Sequence, residues 1–326
     1  MTHYKVVIAD PVAPDVDLEA AEIRKSGLDV ELVWLNLRDP EALIPYVRDA
    51  DALLIVWCKI NRHVIESLKR CKVISRYGVG VDMIDVAAAT EHGIMVTNTS
   101  GFCIEEVSTH TIGFILNLNR HIWLHHEFVR SGKWGTPPGG APDRLLGQTV
   151  GIVGLGNIGS AVAYKASCLG LKVLGYDPYV EPEQVSAKGV TPVGLEELLR
   201  RSDYVTLHCP LLPETYHLIG EAQLALMKPT AYLINMARGS VVDQQALYQA
   251  LARGTIAGAA LDVFEQEPPE PDDPLLQLGN VLLTPHSASW SSDSQIQLRR
   301  DAALNVVAAL QGKLPPSIVN RKQLGL

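Results

Sequence analysis

The sequence predicts an α/β protein of two units, each organised on a doubly wound, mostly parallel sheet, and three observations carry that prediction. Short apolar runs alternate with segments of helical spacing through most of the chain. One run, Thr149–Val153, leads directly into Gly154-Leu155-Gly156-Asn157-Ile158-Gly159, three glycines spaced G-x-G-x-x-G, and a helical segment follows over 160–170. The next strand-like run, Lys172–Tyr176, ends on Asp177, 23 residues after Gly154. At 326 residues the chain is also longer than one ordinary domain and suggests about two.

In chain order, residues 4–9 are a β-rich run, and 15–26 have helical spacing stopped by Gly27. Strands are expected at 30–33, 52–56, 73–75 and Met95–Thr97, with helices at 40–48 and 62–69 between them. Ligands of such sheets lie beyond the carboxyl ends of the strands, which directs attention to Trp57-Cys58-Lys59 and to Arg76-Tyr77-Gly78-Val79-Gly80. Residues 104–130 read as one long connecting helix with an apolar face of Ile112, Ile115, Leu116, Leu118, Ile122 and Leu124. Residues 131–146 are rich in glycine and proline and are expected to form an irregular arm. The strand rhythm resumes at Thr149–Val153, Lys172–Tyr176, 203–208, 231–235, 257–263 and 281–284, a sheet of at least six strands, with helices at Leu195–Arg201 and 244–253. A long helix over 294–311, closed by Gly312, and an extended tail at 315–320 finish the chain.

Composition bounds the function. Hydrophobic residues make up 47% and charged residues 20%, with no run of apolar residues long enough to span a bilayer and no leader-like start, so a cytoplasmic protein without a membrane partner is expected. The formal net charge is −8 and the basic residues are scattered, which argues against a nucleic-acid partner. Five cysteines without C-x-x-C pairs point to reduced thiols, and no metal is expected. His121, His125 and His126 lack a carboxylate or cysteine at ligand spacing and read as a helix surface or an interface.

The glycine loop is a phosphate cradle: glycine lets the backbone turn sharply and approach a pyrophosphate, and the first N–H groups of the following helix point at the anion. A carboxylate at Asp177 can accept from adenosine ribose hydroxyls, and no cation follows it in Pro178-Tyr179-Val180-Glu181 to neutralise a 2′-phosphate, so NAD is expected over NADP. Arg238, Glu267 and His286 each follow a strand of the same sheet. Reduction of a 2-oxo acid requires a cation for carboxylate and carbonyl oxygens, a proton donor for the developing alkoxide and a positioned hydride. Arg238 offers the planar guanidinium, His286 the proton, and Glu267 a carboxylate that orients the imidazole.

With those residues in view, the chain resembles the D-isomer-specific 2-hydroxyacid dehydrogenases over nearly its whole length. The matching pieces are Arg76-Tyr77-Gly78-Val79-Gly80-Val81-Asp82, the loop 151–159, Tyr176-Asp177-Pro178, His208-Cys209-Pro210-Leu211, Asn235-Met236-Ala237-Arg238-Gly239, the stretch 260–268 and Thr284-Pro285-His286. The resemblance implies catalytic Arg238, Glu267 and His286, with Glu267 rather than Glu265 as the family's glutamate. It implies an NAD site built from Thr111, Gly154, Gly156, Asn157, Ile158, Gly159, Asp177, Cys209, Pro210, Thr215, Met236, Arg238, Asp262 and His286. It further implies a substrate carboxylate held near Val79 and Gly80 and by Arg238, with Arg76 adding positive charge. The implied fold is a pair of Rossmann-like domains, a cofactor domain at 104–290 inserted into a discontinuous, flavodoxin-like substrate domain at 1–103 and 291–326, in a homodimer. Within the family the sequence is similar to the phosphoglycerate dehydrogenase branch, through Gly175-Tyr176-Asp177-Pro178 and Ser131-Gly132-Lys133-Trp134. It is also similar to the C-terminal-binding corepressor branch, through Ile115-Leu116-Asn117-Leu118 and Trp123-Leu124-His125, whose members imply an alternative role as a dimeric NAD(H)-sensing interaction protein. Trp57 stands where phosphoglycerate enzymes carry a phosphate-binding arginine, which argues against that substrate. Met83 stands where Asn is usual, and Ser289 where the corepressors carry a tryptophan, with Trp290 one residue later.

Overall fold

The computed structural model describes residues 2–326, and the chain divides into two compact units: residues up to Cys103 together with Ser291–Leu326, and Ile104–Trp290. No helix among the described residues is long and apolar enough to cross a membrane.

The first unit runs β1 (His3–Ile8), α1 (Asp17–Lys25), β2 (Asp29–Trp34), α2 (Pro40–Val47), β3 (Ala52–Ile55), α3 (Arg62–Ser67), β4 (Val73–Arg76), α4 (Val86–Glu91) and β5 (Met95–Thr97). All strand pairs in its five-stranded sheet are parallel, in the order β2-β1-β3-β4-β5. β3 and β4 are buried along their whole length, as expected of strands covered on both faces; β3 is accordingly a continuous apolar run, whereas β4 ends on the buried polar pair Ser75-Arg76. Helices α2, α3 and α4 each start on an Asx side chain that accepts a first-turn N–H (Asp39, Asn61, Asp85), a cap usually worth about 1 kcal/mol. They cover one face through Leu43, Val64 and Ala88, which pack with Val7, Leu53, Ile74 and Val96 of the strands. On the other face Ser75 donates its hydroxyl to the Ala302 carbonyl of the C-terminal helix. The buried Glu19 of α1 pairs with Arg299 at 2.7 and 2.9 Å and accepts from Tyr77 Oη at 3.1 Å. The expected extended tail lies along β5: Val319 N–H donates to Val96 O, and a single antiparallel bridge joins Ile318 to Thr97, which covers the sheet edge.

The second unit contains α5 (Ile104–Arg120), α6 (Ile122–Arg130), β6 (Thr149–Val153), α7 (Asn157–Cys168), β7 (Lys172–Tyr176), α8 (Pro182–Ser186), β8 (Thr191–Pro192), α9 (Leu195–Arg201), β9 (Tyr204–Leu207), α10 (Glu221–Leu224), β10 (Tyr232–Asn235), α11 (Gln244–Ala252), β11 (Gly258–Leu261) and β12 (Val281–Leu283); α12 (Ser292–Leu310) returns to the first unit. Its seven strands are parallel in the order β12-β11-β10-β9-β6-β7-β8. The winding reverses between β6 and β9, so the glycine loop after β6 and the His208-Cys209-Pro210 segment after β9 leave the sheet side by side at its switch point.

The expectation of at least six strands is met by seven, and that of one long helix over 104–130 needs correction. The two-residue edge strand β8 is too short to produce a periodic signal and was not anticipated. Residues 104–130 are two helices: His121 sits in the left-handed region (φ 52°) and breaks the run. There the Asn117 side-chain oxygen accepts the Trp123 N–H at 3.1 Å, replacing a ladder bond. The arm reaches back over the break, where a Cβ on Gly139 (φ +89°) would lie 2.7 Å from His121 Nδ1. The arm itself has no regular structure, and its Trp134 is 89% exposed.

Candidate active site

The glycines of the loop 154–159 perform three different tasks. Gly154 has φ +91°, and a Cβ there would lie 2.7 Å from the Cys209 nitrogen, so its hydrogen lets the two switch-point loops touch. Gly159 faces the loop itself, where a Cβ would fall 2.0 Å from Gly154 O. Gly156 faces open space, with nothing within 4 Å of a Cβ. It is also the N-cap of α7, and it supplies no side chain to the helix's first N–H groups. An uncapped helix start with open room over a glycine fits a dinucleotide pyrophosphate, which the backbone N–H groups of Gly156, Asn157 and Ile158 would hold.

Asp177 follows β7 as the sequence placed it. One carboxylate oxygen accepts Leu155 N–H at 2.8 Å and the other Tyr179 N–H at 3.0 Å, which fixes the carboxylate beside the glycine loop and leaves lone pairs for ribose hydroxyls. Lys188, absent from the sequence reading, donates to Leu155 O (3.2 Å) and Ser160 Oγ (2.9 Å) and so braces the same loop. It lies 33 residues from Leu155 and carries no local signal. Across the switch point Cys209 is buried, and burial together with the Asp177 charge pushes its thiol up to about 11, so it stays neutral. Thr215 ties its own loop by donating to Pro210 O and accepting Leu212 N–H. Met236 is largely buried after β10, and Thr111 is wholly buried in α5, its hydroxyl donated to Val107 O. Exchanging Asp177 for alanine should relax the preference for NAD over NADP; cofactor discrimination unchanged in paired KM measurements would count against its ribose role.

Arg238, Glu267 and His286 are brought into one neighbourhood. Glu267 Oε2 is 2.6 Å from His286 Nδ1, and Glu267 Oε1 accepts Phe264 N–H at 3.0 Å. Burial raises the Glu267 carboxyl, but the His286 hydrogen bond and charge, the Phe264 N–H and the Arg238 charge outweigh it and hold the group below the usual carboxylate range. A carboxylate that remains ionised accepts Nδ1–H and orients the ring. Arg238 begins the turn after β10, its Nη1 donating to Ala237 O, and Asn235 Nδ2 donates to the Arg238 carbonyl. Gly239 is the contact that lets this turn reach the next loop: a Cβ on it would fall 1.9 Å from the Phe264 carbonyl carbon.

Asp262 does more than its strand-end position suggested. Its buried carboxylate accepts from Ser287 N–H (2.9 Å), Ala288 N–H (3.0 Å) and Thr284 Oγ1, and its carbonyl accepts His286 N–H at 2.8 Å. This one residue sets the left-handed turn (φ 52°) that presents the histidine.

In the first unit Arg76 is the last residue of β4 rather than a loop residue, and it is 6% exposed. Its guanidinium lies over the Trp57 ring at 5.5 Å, and Nε reaches Val56 O at 3.4 Å. Gly78 (φ +139°) makes room for it, since a Cβ would overlap Arg76 Nη1. Asn98 Nδ2 holds Val79 O at 2.7 Å, while the N–H groups of Val79 and Gly80 donate to no acceptor among the described residues. The 56–58 segment carrying Trp57 hangs on Asp10, whose buried carboxylate accepts the consecutive N–H groups of Val56, Trp57 and Cys58 at 2.5–2.9 Å. An acid two residues past a first strand is a signal available in the sequence, close to the placement of Asp177 after β7.

Comparison with known proteins decides the family. The family described as D-isomer specific 2-hydroxyacid dehydrogenase, NAD binding domain, matches residues 112–288. The chain belongs to the D-isomer-specific 2-hydroxyacid dehydrogenases. This dehydrogenase is 44% identical over 296 residues to a glyoxylate reductase of Korarchaeum cryptofilum, covering 89% of each chain. It is 40% identical over 318 residues to a D-3-phosphoglycerate dehydrogenase of Methanocaldococcus jannaschii, covering 97% of its own length and 59% of that relative. Among solved structures it resembles D-lactate dehydrogenase from Aquifex aeolicus complexed with NAD and lactic acid, at a TM-score of 0.87 and 30% identity over 96% and 98% of the two chains. The dehydrogenase is thus an NAD-dependent oxidoreductase of the two-domain Rossmann class.

Proposed function

We propose that the enzyme reduces a small, unphosphorylated 2-oxo acid to the D-2-hydroxy acid, with His286 as the proton donor, Glu267 as its orienting carboxylate and Arg238 as the cation for the carboxylate and carbonyl oxygens. The 2.6 Å contact between His286 Nδ1 and Glu267 Oε2 carries this reading, because it sets a carboxylate against one ring nitrogen, as the orienting partner of an acid–base imidazole would sit. NAD(H), when bound by the 104–290 unit, supplies or accepts the hydride. As negative charge grows on the carbonyl oxygen, Arg238 stabilises it and His286 Nε2 donates a proton to it; in the oxidative direction the same nitrogen accepts the proton. Glu267 keeps a carboxylate beside the imidazole in both directions of the reaction.

In the first unit we assign the N–H groups of Val79 and Gly80 to the substrate carboxylate, with Arg76 adding positive charge. The Arg76 guanidinium over the Trp57 ring supports an unphosphorylated substrate, since by the family resemblance Trp57 replaces the arginine that a phosphate would need. The relatives named glyoxylate reductase support a small 2-oxo acid. The exposed Ile122, Val129 and Trp134 of α6 and the arm support a homodimer. The expected result with a panel of 2-oxo acids is NADH oxidation that is fastest with glyoxylate or its short-chain homologues and weak with phosphohydroxypyruvate. Fastest turnover of the phosphorylated acid would contradict the assignment of Trp57. NADH binding without oxidation of any acid would instead favour a sensing role.

A further inference from the structure

We propose that Glu265, gripped by His217 and Gln244, is a positioning residue that sets the geometry of the Glu267–His286 pair; the proposal rests on the role given to that pair above. The segment 263–268 belongs to no helix or strand, so no ladder of backbone bonds fixes it. Besides the burial of Val263 and Phe264, its position depends on individual hydrogen bonds, and Glu265 makes three of them. Glu265 Oε1 is 2.7 Å from His217 Nε2 and accepts Gln244 N–H at 3.2 Å. Glu265 N–H in turn donates to Gln244 Oε1 at 3.1 Å, making the pairing with the first residue of α11 reciprocal. Gln244 Nε2 also donates to Asp273 Oδ2 at 2.7 Å, so one side chain ties both ends of the excursion between β11 and the turn at Pro274–Gln277.

His217 is itself immobilised. It adopts φ 50°, its N–H donates to Ser240 O at 2.8 Å, and its ring stacks on Tyr216 at 4.0 Å. Ser240 lies two residues after Arg238, and the Gly239 backbone presses on the Phe264 peptide. The grip therefore locks the segment bearing Glu267 to the turn bearing Arg238. Glu265 and Glu267 stand two residues apart, one bound to His217 and the other to His286. A shift of the segment would move Glu267 away from Nδ1, and small displacements of orienting groups lower turnover steeply.

The test compares Glu265→Ala, Glu265→Gln and Gln244→Ala with the parent enzyme, reading kcat on a saturating 2-oxo acid, NADH Kd by fluorescence, Tm, and the primary isotope effect with NADH deuterated at the transferred position. Glu265→Ala is expected to lower kcat about 10-fold or more, leave NADH Kd within about 2-fold and enlarge the isotope effect. Glu265→Gln should regain most of the loss, because its amide oxygen still accepts from Gln244 and His217. Should Glu265→Ala fail to fold, Gln244→Ala must show the same split. A folded alanine variant with parental kcat overturns the proposal, as does a loss of NADH affinity parallel to kcat or a Glu265→Gln variant no better than alanine. His286→Ala, run alongside, separates the two levels: if it is inactive while Glu265→Ala is parental, only the positioning role falls, and if it is itself active, the reading of the site falls.

Discussion

Replacing His286 with alanine is expected to lower kcat for 2-oxo acid reduction by about 10²-fold or more and to lower NADH affinity by far less, as for loss of a general acid. The expectation follows from the division of labour in the site. His286 stands on a turn whose shape is imposed by Asp262 through Ser287 and Ala288, so the backbone of that turn does not depend on the imidazole. The glycine loop proposed to hold the pyrophosphate lies at another strand end, after β6. Removing the ring therefore takes away the proton and leaves the dinucleotide site standing. Stopped-flow single-turnover rates alongside equilibrium NADH titration make the distinction, and a variant that loses NADH binding in proportion to turnover would show the histidine to be structural. Because the folded-state pKa of Glu267 is lowered, the orienting contact it gives persists through neutral pH and is lost only as pH falls through that lowered value.

The second large effect concerns two glycines of one loop that should respond differently to the same methyl group. Gly154→Ala forces a non-glycine residue to φ +91° and drives its Cβ against Cys209 N and His208 C, backbone atoms that cannot rotate away. About 1–3 kcal/mol of stability is expected to go, together with tight NADH binding. Gly156→Ala meets nothing within 4 Å and needs no positive φ, so the fold should keep its Tm. Its methyl instead occupies the room over the start of α7, and NADH affinity should fall about 10-fold or more, equivalent to about 1.4 kcal/mol. Thermal melts and NADH titrations of both variants check this. Equal Tm losses, or a Gly156→Ala variant that binds NADH normally, would contradict the assignment of the open face to the pyrophosphate.

How much of this was legible in the sequence follows from the range of each interaction. The glycine loop, Asp177 and the strand-end placement of Arg238, Glu267 and His286 are readable because each is set by its own strand and turn. The break at His121 was hidden because it depends on an arm glycine 18 residues away and on the Asn117 side chain, while the apolar periodicity continues straight through it. The packing of Arg76 under Trp57 was hidden because Arg76 completes a buried strand whose register is a tertiary property. Nothing local marks Glu265; its partner His217 lies 48 residues earlier, and only the sheet order brings them together. Lys188 likewise reaches the cofactor loop across the β7–β8 connection.

The most direct test of the enzyme as described is a single reaction mixture: the parent protein, NADH and pyruvate, followed to completion with chiral analysis of the product. Formation of D-lactate in amounts equal to the NADH consumed is the expected result. L-lactate, or no NADH oxidation with pyruvate, glyoxylate or any other 2-oxo acid at a protein concentration that binds NADH, would contradict it.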